Sequence, residues 1–317
     1  MSFLVSKQSE RKEKRKMIVI FEQVFILFAF AAIGFALSKF RIVDVSHTKI
    51  ISALLVYVAS PCNTFKTFSA KFTVEYVSTH YVFLLFGLAT MLFLAISMHY
   101  FAKLFSKDAY TRSVYEYSMI TPNFGYMGYA LAESLMGLSG LINVMMFGFP
   151  TSCFVNTRGY CILTKTKVTL RRLLNPLMIA MVLGVVFGLA NISQPTLVTE
   201  LVSRSSACMA PLSMILMGIT VSEFKLKSLF CSIRTYAIAA MRLVLIPLAI
   251  GGLISLTGYV EIAMSAALVL AMPCGLNTII FPKLVGEDCE IGASLACVST
   301  ILSCISIPLV LTVFGIG

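Results

Sequence analysis

Tryptophan is absent from the 317 residues, charged side chains make up only 12% of them, and aspartate occurs three times, as Asp44, Asp108 and Asp288. Each shortage excludes something. An ordinary soluble domain carries about 25% charged residues, so a chain that is 58% hydrophobic with so few charges is not one. Without Trp, tyrosine must supply any aromatic belt at a membrane interface. The nine cysteines form no C-x-x-C pair and mostly lie inside apolar runs. They read as small buried hydrophobes, without metal-site or disulfide spacing. His47, His80 and His99 lie far apart in sequence and form no local metal or triad motif. No nucleophile–base spacing appears either, so the chain does not read as an enzyme and implies no cofactor. All three aspartates fall in expected loops, whereas a sodium/proton antiporter built on crossed helices would need an acid inside the membrane.

What is present is apolar length. The mean hydropathy is +0.92, and the chain accommodates about ten helices of roughly 20 residues each. The expected class is an all-α, multi-pass integral membrane protein, in the cell membrane and surrounded by lipid. A polar basic tail covers residues 1–16. Span 1 is expected over Met17–Leu37, too long for the h-region of a signal peptide. Spans 2 to 5 follow over Thr48–Phe65, Tyr76–Phe101, Arg112–Met136 and Leu141–Leu163. Residues 164–174 form a basic linker between a first five-helix repeat (17–163) and a second (175–317). Spans 6 to 10 are expected over Asn175–Leu189, Ala207–Val221, Thr235–Leu256, Glu261–Leu284 and Ile291–Phe314.

Two spans are interrupted. Span 4 carries Pro122, Asn123, Gly125 and Gly128; span 9 carries Pro273, Gly275, Asn277 and Thr278. Proline removes a backbone donor and clashes with the preceding turn. In lipid, backbone groups freed in this way must be satisfied by protein or trapped water, so a broken span marks a cavity. The two prolines lie 151 positions apart, and Pro61 and Pro211 in spans 2 and 7 lie 150 apart. Two landmarks at nearly one offset indicate a duplicated unit. Five spans per unit is an odd number, so the second unit enters the membrane from the opposite side and the repeat is inverted.

The net charge of +11 does not point to nucleic acid, because the basic residues sit in short loops. Loops after the odd-numbered spans hold 15 Lys and Arg, including Arg158, Lys165, Lys167, Arg171 and Arg172 around the linker, against three (Lys66, Lys71, Arg204) on the other side. The odd-numbered loops are therefore expected in the cytoplasm. The tail, with six basic residues on the opposite side, runs against this count; a start at Met17 would remove the conflict.

If spans 4 and 9 split at their prolines and cross, their second halves begin near Asn123 and Asn277. Two helix N-termini then converge, each carrying unpaired N–H groups and partial positive charge, which makes an anion site. Asn123, Asn277 and Thr278 would orient the anion by hydrogen bonds, or would serve only to satisfy the broken backbone. Gly125, Gly128 and Gly275 permit close helix crossing or, at Gly125, ligand contact. Arg242, inside span 8, is either a partner for the anion or a side chain that snorkels to the cytoplasmic end two turns away. Glu116 and Glu133 flank the broken part of span 4 and read as structural groups, with proton coupling as the alternative.

Span 1 with its following loop (FAAIGFALSKFRIVD), NFGYMGYAL in span 4, APLSMILMGITVSEF in span 7 and the C-terminal run MPCGLNTIIFPKLVGEDCEIGASLACVSTILSCISIPL resemble the auxin efflux carrier family. The family includes plant auxin exporters and prokaryotic permeases described as malate or malonate transporters, and the short linker is more like the prokaryotic branch. The resemblance implies ten helices in two inverted repeats, with helices 4 and 9 crossing at Pro122 and Pro273 beside Asn123 and Asn277. It further implies a scaffold of spans 1, 2, 6 and 7, a moving part of spans 3–5 and 8–10, and a homodimer. Asn123-Phe124-Gly125-Tyr126 stands where prokaryotic members commonly have Asn-Thr-Gly-Phe. The expected function is elevator-type secondary transport of small organic anions, dicarboxylates or auxin-like carboxylates, with a proton or sodium as candidate coupling ion. The alternatives are a sodium-coupled symporter of the bile-acid type and an ion channel.

Overall fold

The computed structural model describes Glu22, residues 25–167 and residues 174–316. The tail 1–16, the first residues of span 1 and linker residues 168–173, with Arg171 and Arg172, lie outside the described residues. Within them the chain is helical, apart from connections and one isolated antiparallel bridge between Pro122 and Cys274. Among the described residues, six helices are long and apolar enough to cross a membrane, and three shorter apolar ones accompany them.

Every expected span has its helix. Spans 1 to 3 are α1 (Phe25–Lys39), α2 (Val45–Ala70) and α3 (Val74–Phe105). Span 4 is two pieces, α4 (Ala109–Ile120) and α5 (124–136). Gly137, at φ +70° and ψ −167°, turns the chain directly from α5 into α6 (138–163), so the loop expected between spans 4 and 5 shrinks to one residue that only glycine adopts readily. The second half comprises α7 (Pro176–Leu189), α8 (Thr196–Glu223), the short α9 (Leu226–Phe230) and α10 (Ile233–Ser255). Span 9 is again two pieces, α11 (Val260–Leu270) and α12 (Asn277–Val285), and α13 (Glu290–Val313) closes the chain.

Local chemistry sets these boundaries. The side chains of Thr73, Asp108 and Asn175 accept from Tyr76, Thr111 and Met178 N–H groups and so cap α3, α4 and α7. Pro61 and Pro247 each follow a π turn, Leu55–Ala59 and Met241–Leu245. Widening the turn relieves the clash of the proline ring with the preceding turn and keeps the span continuous. Pro211 likewise sits just past an irregular residue, Cys208, within α8.

Span 7 was expected to begin near Ala207, but α8 starts at Thr196. Its first half, TLVTELVSRSSA, is too polar to register as apolar. It lies along the equally polar second half of α2, where Ser206 Oγ donates to Asn63 Oδ1 at 2.8 Å and Lys66 Nζ donates to Ser203 Oγ at 3.1 Å.

The helices pack in two groups. One contains α1, α2, α7 and α8; the other contains α3–α6 with α10, α11 and α13, while α12 touches both. α1 and α8 approach reciprocally through glycine: a Cβ on Gly34 would lie 2.1 Å from the Ile215 carbonyl oxygen, and one on Gly218 would lie 1.9 Å from that of Ala31. Small residues allow this in a membrane, where packing rather than the hydrophobic effect holds helices together.

Candidate functional site

α4 ends at Ile120 because the residue before a proline is pushed out of the helical region; Thr121 is extended, at φ −106° and ψ 105°. α11 ends at Leu270, three residues ahead of Pro273, with Ala271 still near helical dihedrals at φ −78° and ψ −9°. The two extended segments cross antiparallel. Asn123 N–H donates to the Pro273 carbonyl at 2.8 Å, and Gly275 N–H donates to the Thr121 carbonyl at 3.2 Å. Cys274 N–H, left between them, donates to Ser299 Oγ on α13 at 3.0 Å. The prolines contribute only carbonyls, so the break leaves no proline N–H in need of a partner.

Backbone and α13 thus satisfy the crossing, and the Asn123 side chain is free of that task. It is only 2% exposed, yet neither Oδ1 nor Nδ2 has a hydrogen-bond partner. It faces a cavity of about 100 Å³ whose wall includes Pro122, Asn123, Gly125, Gly275 and Asn277. Nothing lies within 4 Å of where a Cβ on Gly125 would stand, so this glycine opens toward the space, whereas Gly128 packs on Met272 and Gly275 on Thr121 at the crossing. The buried Tyr117 hydroxyl, also on the wall and without a hydrogen bond, is within reach of Asn277 and Thr121. Thr278 stands apart from the cavity: its hydroxyl donates to the Gly275 carbonyl at 2.9 Å and to the Gly292 carbonyl at 3.3 Å.

Opposite the crossing stands a surface the sequence reading missed. Ser60, Asn63, Thr64 and Thr67 of α2 line the cavity. Their i, i+3, i+4, i+7 spacing, which starts beside Pro61, is one helical face and was available as a signal. Ser152 and Asn156 of α6 add further polar groups, and among the described residues no acidic or basic side chain lines the wall.

Arg242 does not snorkel. It is fully buried, and its guanidinium donates from Nη1 to the Met119 carbonyl at 2.9 Å and from Nε to the Met272 carbonyl at 3.3 Å. It therefore sits at the C-terminal ends of both first half-helices, α4 and α11, where the helix dipole is negative. It is absent from the cavity wall. The crossing is polarised as a result: its negative ends share one fixed cation, and its positive ends, the N-termini of α5 and α12, open on the cavity.

Glu116 is also buried, with its Oε2 3.0 Å from His99 Nδ1 and its Oε1 3.6 Å from Arg158 Nη2. Arg158 was expected in the cytoplasmic linker, but it lies within the π turn Val155–Gly159 of α6. His99, Glu116 and Arg158 come from three spans, so no local motif announced their meeting. Glu133 is exposed on α5.

A family described as membrane transport protein matches residues 19–165 and again residues 156–311. No curated protein matches the chain. Each family match contains one broken span, and together they take in nearly the whole sequence, so the duplication read from the proline spacing and the fold agree. The chain is a multi-pass membrane transporter that belongs to the membrane transport protein, or auxin efflux carrier, family.

Proposed function

We propose that the protein is a secondary transporter of small organic anions, and that the anion binds where α5 and α12 begin. One observation carries this reading: the unpartnered, buried carboxamide of Asn123 stands beside two helix N-termini on a cavity without charged side chains. Each N-terminus favours an anion by about 0.3–1 kcal/mol, and up to about 2 when partly buried. Hydrogen bonds from Asn123 and Asn277 add direction, and the open space at Gly125 lets the anion approach the backbone. The polar face of α2 would hold the remainder of the molecule. Arg242 fixes the opposite pole, so the field at the cavity keeps its sign through the cycle. In this mechanism the group that carries the crossing slides against α1, α2, α7 and α8, and α2 meets the anion only in some positions. The working unit is a homodimer, as the family resemblance implies.

The test is counterflow in proteoliposomes with radiolabelled malate, malonate, succinate and indole-3-acetate, with and without a sodium gradient. Exchange of at least one of these, absent from empty liposomes, is the expected result. No exchange of any of them would overturn the anion reading, and exchange only with sodium would favour a symporter of the bile-acid type.

A further inference from the structure

The cluster of buried Glu116 with the more exposed His99 and Arg158 has no part in binding as derived above, and it lies close to the cavity along two stretches of chain at once. Glu116 directly precedes Tyr117, a wall residue of α4. Arg158 shares the π turn Val155–Gly159 with Val155 and Asn156, both on the wall. Gly159 of the same turn is pressed on Tyr117, since a Cβ there would lie 2.7 Å from the ring. Any shift of Arg158 relative to Glu116 therefore moves two parts of the cavity wall.

The charges make a switch of one proton. With His99 neutral, Glu116 and Arg158 cancel. With His99 protonated, the cluster carries one net positive charge. Histidine is the side chain whose ordinary range spans physiological pH; His99 is 41% exposed on its side chain, while Glu116 beneath it is 6% exposed.

Other charges near α4 are turned elsewhere, except Arg112, which shares a helical face with Glu116. On α3, Lys103 lies over the Tyr100 ring at 4.7 Å. On α10, Arg242 holds the Met119 and Met272 carbonyls, and Arg234 acts on Tyr115. Lys165, past the end of α6, pairs with Glu287, and Glu290 of α13 accepts from Ser228. Arg112 sits one turn back on α4 itself.

We propose that His99, Glu116 and Arg158 form a proton-binding site coupled to the anion site, so that one proton taken up at His99 accompanies the anion. The inference rests on the anion-transport reading. Linkage is reciprocal: if the proton tightens the anion, the anion must draw in the proton.

The experiment is calorimetric titration of the purified protein with malate, malonate, succinate and indole-3-acetate. It is run at about pH 6 and about pH 8, on either side of the histidine range, in two buffers of different ionisation enthalpy. For the parent, at least one of the anions binds about tenfold tighter at the lower pH, the size of one added charge acting through protein, with net proton uptake on binding. His99→Gln binds at one affinity at both pH values and takes up no proton. Glu116→Gln leaves Arg158 uncompensated, so it holds the anion at the higher pH as tightly as the parent does at the lower. A merely structural cluster would instead weaken both variants at both pH values. Binding by the parent without proton uptake, or unchanged pH dependence in folded His99→Gln, overturns this proposal and leaves the anion reading standing. Absence of binding of any of the four anions to folded parent overturns the anion reading and this inference with it.

Discussion

Asn123 and Thr278 flank the same crossing and divide its work between them. Thr278 is saturated by two backbone carbonyls, and Asn123 has neither side-chain atom satisfied. A hydrogen bond contributes about 1 kcal/mol net, rising toward roughly 1.5–3 when the acceptor is charged. Asn123→Ala and Asn277→Ala are therefore expected to weaken anion binding by about one to two orders of magnitude, since about 1.4 kcal/mol is tenfold. Thermal stability should fall much less. Thr278→Val should do the opposite, lowering the melting temperature and leaving affinity nearly unchanged. Binding and melting measured on the same monodisperse preparations separate the two patterns. The importance of Asn123 was legible in the sequence because a proline precedes it in a broken span. The idleness of its side chain was not, because that depends on Pro273 and Ser299 from the other repeat taking care of the backbone.

At the level of elements, the two first half-helices, α4 and α11, share one cation, and close glycine contacts pack other helices. Arg242→Met would leave the carbonyls of Met119 and Met272 without their donor at the meeting of two negative helix ends. With roughly 1.5–3 kcal/mol attached to a hydrogen bond of a charged group, a large drop in melting temperature is expected. Arg242→Lys, which keeps the charge but loses the fork, should recover part of it. The α1–α8 contact gives a cleaner comparison. Gly218→Ala places a Cβ on the Ala31 carbonyl, while Gly252→Ala on α10 meets nothing within 4 Å. Overpacking costs about 1–3 kcal/mol, so the first should melt markedly lower and the second should match the parent. Outside the membrane, the Thr111 backbone N–H holds the Asp108 carboxyl below the usual carboxylate range where it caps α4. Its stabilising effect is present above the unfolded carboxyl's range and is lost as the pH falls through the lowered folded value, so Asp108→Ala should remove one contribution to acid sensitivity of melting. Helix positions followed from hydropathy and prolines, except where polarity misled: the first half of α8 is hidden from any apolar scan because its partner is the polar half of α2. The role of Arg242 was undecidable from span position alone, since a snorkelling side chain and one aimed at the crossing start from the same depth and differ only in direction.

For the whole molecule, the inverted repeat makes a claim about sides that the ion pairs support independently of the Lys and Arg counts. Lys165, after α6, pairs with Glu287, after α12, and Lys283 near the end of α12 pairs with Glu223 at the end of α8. These contacts bring the connections after spans 5, 7 and 9 to one face. On the other face, Lys66 near the end of α2 meets Ser203 near the start of α8. The Lys and Arg excess belongs to the first face, which the positive-inside rule places in the cytoplasm. Cys231 lies on that face in the connection after α9 and is exposed. Ser193, exposed between α7 and α8, lies on the other. The prediction uses a protein whose remaining cysteines are replaced by serine or alanine. Cys231 alone should stay unlabelled by a membrane-impermeant maleimide in intact cells and react in inside-out vesicles. Ser193→Cys in a background without Cys231 should react in intact cells. The reverse pattern would turn the molecule over in the membrane and give the six basic residues of the 1–16 tail the cytoplasmic side. Reaction of both sites in intact cells, from preparations shown to be sealed, would mean that the two connections share a side, which the single span α8 between them does not allow.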